Sequence, residues 1–310
     1  MAGDRPGWSG VVHGSWGDLA RIRALLDAGA DPDGPVWDDE RPLHVAAEEG
    51  SPEVVAELAG RVTDVDAVNR GRTALWNAVY HRRPDNVRAL LAAGADPWRP
   101  MMAGWSPGRL ALASPGLFTL PGNEAALSGE EAAMAAAAPR LTEIFADHLD
   151  GLGLACVAGI GAAEAVRRLD ATPFAVTEAG PCHEPPRPDD DLKIVGATDV
   201  PGGCVITQPW GYAPQLSEVM APLSAGTFAY GLYVNPKSGS QGCVFRDGAC
   251  EKWDLHPGGD PFPDATAREV LAGHLTSGNA VAYTLAYAGL RPPDGRAVQG
   301  PPDLWLRLPR

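Results

Sequence analysis

Eight polar and aromatic residues in the C-terminal half of the chain could line a pocket. They stand near the predicted ends of strands, where side chains from neighbouring strands can converge on one edge of a sheet: Gln208, Trp210, Tyr212, Asn235, Lys237, Gln241, Asp254 and His256. Asp254 and His256 stand two residues apart, so the carboxylate could orient the imidazole as a general base. Spacing places no Ser or Cys as a nucleophile. The pocket therefore supports enzymatic action on a partner or small molecule as the alternative function, and no catalytic residue is assigned.

Two glycine-containing segments are candidates for an anion or cofactor site. The loop Asn235–Gly242 could wrap an anion with Lys237 as counter-charge, but its order of Gly, Lys and Ser is not that of a phosphate-binding loop, and a strand follows it. A hairpin connection is favoured. Gly159–Glu164 lacks the third glycine of a dinucleotide fingerprint and is better interpreted as a helix start. The sequence predicts no cofactor.

Cysteine and histidine spacing gives no metal site. Cys182–His183 is the one adjacent pair of soft ligands, whereas zinc sites usually contain two close pairs. The 5 cysteines are scattered through the second half without CxxC spacing, which favours reduced thiols over disulfides.

The N-terminal part of the sequence contains an internal repeat whose helices could position a binding surface. Asp31, Asp64 and Asp96 are followed ten or eleven residues later by Pro42, Ala74 and Pro107, which gives a period of 32 to 33 residues. Each unit continues into an apolar stripe at helical spacing. Two of these helices end in Gly-Ala-Asp-Pro, at Gly29–Pro32 and Gly94–Pro97, where glycine can cap the helix and proline stops it.

The segments Arg41–Ala47 and Gly71–Ala78 resemble the T-P-L-H-x-A signature of ankyrin repeats. The resemblance covers about residues 15–113 and implies an all-α solenoid of three repeats plus a degenerate capping repeat at Trp105–Ala111. Val62 replaces the capping glycine of the middle repeat, so we expect that helix to end earlier, at Gly60. His44, at the motif's histidine position, is expected to orient a loop.

In ankyrin proteins the partner binds the finger loops and the exposed side of the first helices of the repeats. The resemblance therefore predicts partner-binding residues of mixed charge and aromatic character: Trp37, Asp38, Glu40, Arg70, Arg72, Tyr80, Trp98, Arg99, Met102 and Trp105. Tryptophan and arginine are frequent anchors of protein interfaces. The tryptophans could instead pack under their own loops.

The rest of the chain predicts a linker and a second domain. Residues 114–150 contain a loop and a docking helix, begun by a Ser128–Glu131 capping box and broken or kinked at Pro139. Residues 151–310 mix strands and helices, so the fold class is multidomain, an all-α repeat solenoid followed by an α+β domain. Pro201–Val205 and Leu223–Thr227 carry a resemblance to an uncharacterised actinobacterial domain, which implies no activity.

Candidate strands of the second domain are 192–197, 203–208, 227–234 and 243–245, with a closing strand around Leu304–Leu308. Helices are expected at 161–169, 216–223, after Thr266 with Glu269, and from Asn279 to Tyr287. A Pro-rich acidic loop is expected at 181–191. The third and fourth strands should form a hairpin.

Bulk properties limit the class of partner. The chain has 310 residues, enough for two domains, and a net charge of −14, which argues against a nucleic-acid partner. No signal peptide or apolar stretch of membrane-spanning length is present, which favours the cytoplasm. The sequence thus predicts a protein-interaction protein that binds a protein partner through its fingers, with a C-terminal regulatory or second binding domain.

Overall fold

The computed structural model describes residues 7–122, 125–147, 149–174 and 193–309. The chain divides into two compact units, the first formed by Met1–Glu131 and Pro261–His274 and the second by Ala132–Asp260 and Leu275–Arg310. The break after Glu131 lies within the predicted linker of residues 114–150, and a segment from the C-terminal half, Pro261–His274, joins the first unit.

The first unit is a stack of short helices. Its elements are a 3-10 turn at His13–Gly17, α1 (Leu19–Asp27), α2 (Pro42–Glu49), α3 (Pro52–Ala59), α4 (Ala74–Tyr80), α5 (Pro84–Ala92), a 3-10 turn at Met102–Gly104 and α6 (Pro107–Leu112). The first helices α2, α4 and α6 contact one another in order, and so do the second helices α1, α3 and α5. Ala46, Ala47 and Ala78 are fully buried, because only small side chains let neighbouring first helices approach closely.

The predicted helix ends of the repeats are confirmed. Gly29 and Gly94 follow α1 and α5 with φ of 99° and 92°, the left-handed conformation that glycine adopts without steric cost. The middle helix ends earlier, with Gly60 as a right-handed C-cap at φ −75°. Val62 therefore needs no left-handed backbone.

Residues 261–274 supply the first unit with a further helix. Residues 113–122 contain no helix after α6, and α10 (Ala267–Thr276) contacts the repeats instead. Trp105 Nε1 donates to the Ala267 carbonyl at 3.0 Å. His274 lies between two repeats, with Nδ1 3.2 Å from the Tyr80 carbonyl and Nε2 3.1 Å from Ser114 Oγ. A segment distant in sequence thus completes the degenerate fourth repeat.

The second unit is built on an antiparallel sheet. Its described strands are β1 (Leu152–Ala158), β2 (Thr172–Phe174), β3 (Ile194–Val200), β4 (Gly203–Pro209), β5 (Phe228–Asn235), β6 (Gly239–Arg246), β7 (Ala249–Asp254) and β8 (Leu304–Arg307). They form one 8-stranded sheet in the order β2-β8-β3-β4-β1-β5-β6-β7. The predicted hairpin is β5–β6, closed by the pair Asn235 and Gly239.

Helices cover both faces of this sheet. They are α7 (Gly129–Ile144), which contains the boundary between the units, α8 (Ala162–Arg168), α9 (Ser217–Leu223), α11 (Ala280–Ala288) and α12 (Arg296–Gln299), with a 3-10 turn at Ala213–Gln215. Leu154 and Leu232 pack with Leu285 of α11 on one face. Ile206 packs with Met220 of α9 on the other. The C-terminal half is therefore rich in antiparallel strands, with helices on two sides.

Several predicted elements need correction. The capping box at Ser128–Glu131 is present, but α7 continues through Pro139, so the predicted break does not occur there. Strands β1, β2 and β7 were not predicted. β1 is almost entirely buried and contains a single β-branched residue, Val157, so neither alternation nor composition marks it as a strand. In the part of the chain that the structure describes, no helix is both long and apolar enough to cross a membrane.

Candidate functional site

Three loops that precede the first helices form what we term the finger surface, comprising residues 31–40, 64–72 and 96–105. The second finger closes with a tight turn, in which Arg70 and Gly71 have φ of 48° and 79° and Asn69 and Arg72 exchange backbone hydrogen bonds. Positive φ at both central residues matches the twist of a two-residue hairpin. The first finger also contains two left-handed residues, Asp38 and Asp39.

The first and second fingers are bound to each other. The Arg70 guanidinium pairs with the Glu40 carboxylate at 2.7 Å and also donates to the Asp38 carbonyl. Asn69 Nδ2 donates to the Asp39 carbonyl at 2.7 Å. These contacts hold the left-handed turn of the first finger against the hairpin of the second.

The second and third fingers are joined in the same manner. Both carboxylate oxygens of Asp66 accept from the backbone N–H of Asp96, at 3.0 and 3.1 Å. Arg99 donates to the Asp66 carbonyl at 2.9 Å. Partial burial raises the pKa of Asp66 above its usual value, against the lowering effect of the Asp96 hydrogen bond. The three fingers therefore form one hydrogen-bonded surface.

His44 supports this surface from beneath. Its Nε2 lies 3.1 Å from the Arg72 carbonyl, so this nitrogen carries the proton and donates. Burial lowers the pKa of His44 to about 4 despite that hydrogen bond. The imidazole is thus neutral at pH 7, and the predicted loop-orienting role is confirmed.

Several predicted partner-binding residues lie in the interior. Tyr80, Met102 and Trp105 are buried, with Trp105 0% exposed. Trp37 is half-buried, 5.0 Å from the His13 ring, and Trp98 packs over Gly108 and donates to the Pro121 carbonyl. The tryptophans therefore pack within their own unit, because their large rings fill the space beneath short loops.

The remaining finger residues form the accessible part. Asp38, Arg70 and Arg99 are exposed, while Glu40 and Arg72 are half-buried. Asp39, next to Asp38, is also exposed. Further exposed finger residues were not among the predicted contacts, among them Val68, which is 40% exposed. Val68 could have been found from its place beside the hairpin turn, which leaves its side chain outside the helical core.

A shallow cleft adjoins the third finger. It has a volume of about 290 Å³ and is lined by Trp98, Ala111, Leu112, Phe118, Thr119 and Leu120. The lining is largely apolar, so the cleft can accept an apolar side chain.

The predicted C-terminal pocket residues differ in their burial and in the contacts they make with nearby residues. Gln208 is buried, where its amide donates to the Ile194 carbonyl at 3.0 Å and accepts from Ala213 N–H at 2.8 Å. Trp210 and Tyr212 are exposed, at 65% and 46%. Tyr212 lies beside Tyr233, with ring centroids 5.9 Å apart.

The other five residues lie at or next to the ends of strands. Asn235 Oδ1 accepts from Lys237 N–H at 2.9 Å inside the β5–β6 turn, and the Gln241 carbonyl accepts from Gln215 at 2.8 Å. Asp254 accepts from the Tyr230 hydroxyl at 2.7 Å and from the backbone N–H of His256 at 3.0 Å. Both of these hydrogen bonds are accepted by the Asp254 carboxylate, and neither of them involves the His256 imidazole.

A cleft of about 310 Å³ in the second unit is lined by none of these eight residues. Its walls include Phe145, Val234 and Asn279. The Cys182–His183 pair and the predicted acidic loop at 181–191 lie outside the described residues. Cys156, Cys204 and Cys243 are buried free thiols, and burial raises the pKa of each.

Comparison with known proteins gives one relative of part of the chain. Serine/threonine-protein kinase 12 of Arabidopsis thaliana is 37% identical over 87 residues, which are 27% of this chain and 19% of the kinase. The chain thus spans about a fifth of that relative's length.

The family model for ankyrin repeats matches residues 12–101 in 3 copies. The match includes the finger surface up to Met101 and the helices α1 to α5. The C-terminal resemblance to an actinobacterial domain remains a prediction. Residues 12–101 therefore carry three ankyrin repeats, which supports a general role in protein–protein interaction.

Proposed function

We propose that the finger surface binds a protein partner, with Asp38, Asp39, Val68, Arg70 and Arg99 as contact residues. The observation that carries this proposal is that the three fingers are hydrogen-bonded to one another in the unbound chain, while these side chains are exposed. A preorganised surface loses little conformational freedom on binding, so more of the contact energy becomes affinity.

Charge on the finger surface suggests the chemistry of the partner. The first finger presents Asp38 and Asp39, and the third presents Arg99. Complementary potentials direct association and suppress wrong partners. We therefore expect a partner surface that is basic where it meets the first finger and acidic where it meets the third, with an apolar residue toward Val68.

Affinity capture from the native host would test this function. The variant Asp38→Asn/Asp39→Asn removes two exposed charges, and asparagine tolerates the left-handed backbone at both positions. Asp27→Asn/Asp85→Asn is the matched control, since both carboxylates are exposed on second helices. We expect recovery of the partner to fall about ten-fold with the finger variant alone. Equal recovery with both variants would contradict the proposal.

We also propose the second unit as a regulatory or second binding domain. Exposed Trp210 and Tyr212 support this, because aromatic side chains are enriched at the centres of protein interfaces. Trp210→Ser should lower recovery of a second partner without changing the one that depends on Asp38 and Asp39. If the recovery of every captured protein is unchanged, Trp210 does not take part in binding a second partner.

A further inference from the structure

Strand β7 forms one end of the described sheet. It pairs with β6, and the sheet order continues no further on its other side. An edge strand offers backbone N–H and C=O groups to another strand. Most of β7 is solvent-exposed, and Trp253 and the following Leu255 are 59% and 63% exposed.

The two faces of this edge differ in character. The Asp254 carboxylate accepts from the Tyr230 hydroxyl, which places Asp254 on the face covered by the tyrosines of α11. Alternation along the strand puts Lys252 on that same face and Trp253 on the opposite one. Leu255 follows the end of β7 at Asp254. One face is therefore charged with both signs, and the other is apolar.

We propose that two copies of this chain pair antiparallel through β7, with the twofold axis at Trp253. In a continuous sheet, residues directly opposite each other share a face, so the axis must pass through a residue position. An axis at Glu251, Lys252 or Asp254 would place two like charges directly opposite each other, which is unfavourable. An axis at Ala249 or Cys250 would put the bulged residue Glu251 inside the paired segment, where it interrupts the ladder.

An axis at Trp253 places opposite charges, and not like charges, across from each other. Lys252 of each copy then lies opposite Asp254 of the other, which forms two pairs of opposite charge on one face. On the other face Trp253 meets its equivalent. Val244 pairs with Lys252 and Phe245 with Cys250, so Glu251 is the extra residue of a bulge, and the regular part of the strand is Lys252–Asp254. Charge complementarity over these three residues selects a second copy and a single register.

Three paired residues per copy make a small interface, so the dimer should be weak and concentration-dependent. Sedimentation velocity of the full chain, from low micromolar to several hundred micromolar, should show a monomer–dimer equilibrium. Lys252→Asp should raise the dissociation constant about ten-fold or more, because two attractive pairs become repulsive. Lys237→Asp makes the same charge change in the exposed β5–β6 turn and should leave the equilibrium unchanged.

A cross-link tests the register. In a Cys250→Ser background, Trp253→Cys should form a disulfide-linked dimer under mild oxidation, since directly opposite Cα atoms lie about 4.5–5.5 Å apart. Lys237→Cys in the same background should not. Circular dichroism and thermal unfolding establish that each variant is folded. A monomer at every concentration, a dimer insensitive to Lys252→Asp, or equal cross-linking at 237 and 253 would each overturn the proposal.

Discussion

The two units stabilise their loops and strand ends over very different distances along the chain. In the repeat unit, contacts between fingers join residues 30 to 33 positions apart, from Asp39–Asn69 to Asp66–Arg99. In the second unit, β8 from the end of the chain lies between β2 and β3. The repeat unit uses the same contact between neighbouring repeats several times, whereas the second unit depends on one strand order that joins distant parts of the chain. Exposed residues for binding can therefore vary on the fingers with little effect on the stack.

The first unit nevertheless depends on one distant segment, and breaking that contact gives the largest expected effect. Trp105→Ala removes a fully buried ring and its hydrogen bond to Ala267, and should cost about 3–5 kcal/mol of the free energy of unfolding. Trp210→Ala, at an exposed position in the second unit, should cost under about 1 kcal/mol. Urea unfolding followed by circular dichroism measures both, and similar losses would refute the contrast.

Acid should weaken the repeat unit through its buried histidines. Burial lowers the pKa of His44 and of His274 to about 4, so the unfolded chain takes up these protons first as the pH falls. The contribution of the two neutral histidines to the free energy of unfolding is complete above pH 6.5 and is lost between pH 6.5 and 4. The loss should be about 2 kcal/mol for each histidine at pH 5.

Urea midpoints at pH 7.5 and pH 5 check this dependence. His274→Gln should lower stability at pH 7.5 and flatten the decline on acidification. His256→Gln, at an exposed position in the second unit, should leave the slope unchanged. A slope that both variants share with the wild type would show that His274 does not contribute.

A buried side-chain amide of the repeat unit should contribute less to the free energy of unfolding than Trp105 does. Asn86 is 1% exposed and its amide donates toward the carbonyls of Ala46, Ala47 and Gly50, at 3.3, 3.0 and 3.1 Å. Asn86→Ala leaves these acceptors without that donor and should cost about 2 kcal/mol. Asn235→Ala, which opens one turn contact in the second unit, should cost about 0.5 kcal/mol in the same unfolding assay.

The ion pair between fingers should have the smallest effect. Arg70 and Glu40 are partly exposed, so a double-mutant cycle with alanine should give a coupling energy of about 0.5 kcal/mol. The coupling should decrease with added salt. A coupling above about 2 kcal/mol would show that the fingers depend on this pair more than on their backbone bonds.

The sequence predicted the repeat unit in detail because its determinants recur. The glycines after α1 and α5, the small residues of the first helices and the early end at Gly60 all follow from local chemistry. The interior position of Trp105 could not be predicted, since its hydrogen-bond partner Ala267 is 162 residues away. Tryptophan is equally suited to an interface and to the space under a loop, and only the tertiary contact decides between them.

The second unit was less predictable for a related reason. Short β-like runs predicted β3 to β6, and alternation predicted β8. β1 has a single β-branched residue and β7 is charged and exposed, so neither has the composition typical of a strand. The predicted pocket residues share only their polar or aromatic type and a position near strand ends. Gln208 and Asp254 show that such polar residues also satisfy turns and buried groups, which residue type alone does not reveal.

The most direct test of the central claim, that partners bind the finger surface, is photo-crosslinking at single positions. A photoreactive amino acid at Val68 lies on the finger surface, and the same amino acid at Arg88 lies on the exposed side of the second helix α5. Mass spectrometry of material from the native host would identify the linked proteins. We predict a specific cross-linked partner from position 68 and none of that partner from position 88. Equal linkage at both positions, or linkage at 88 alone, would contradict the claim.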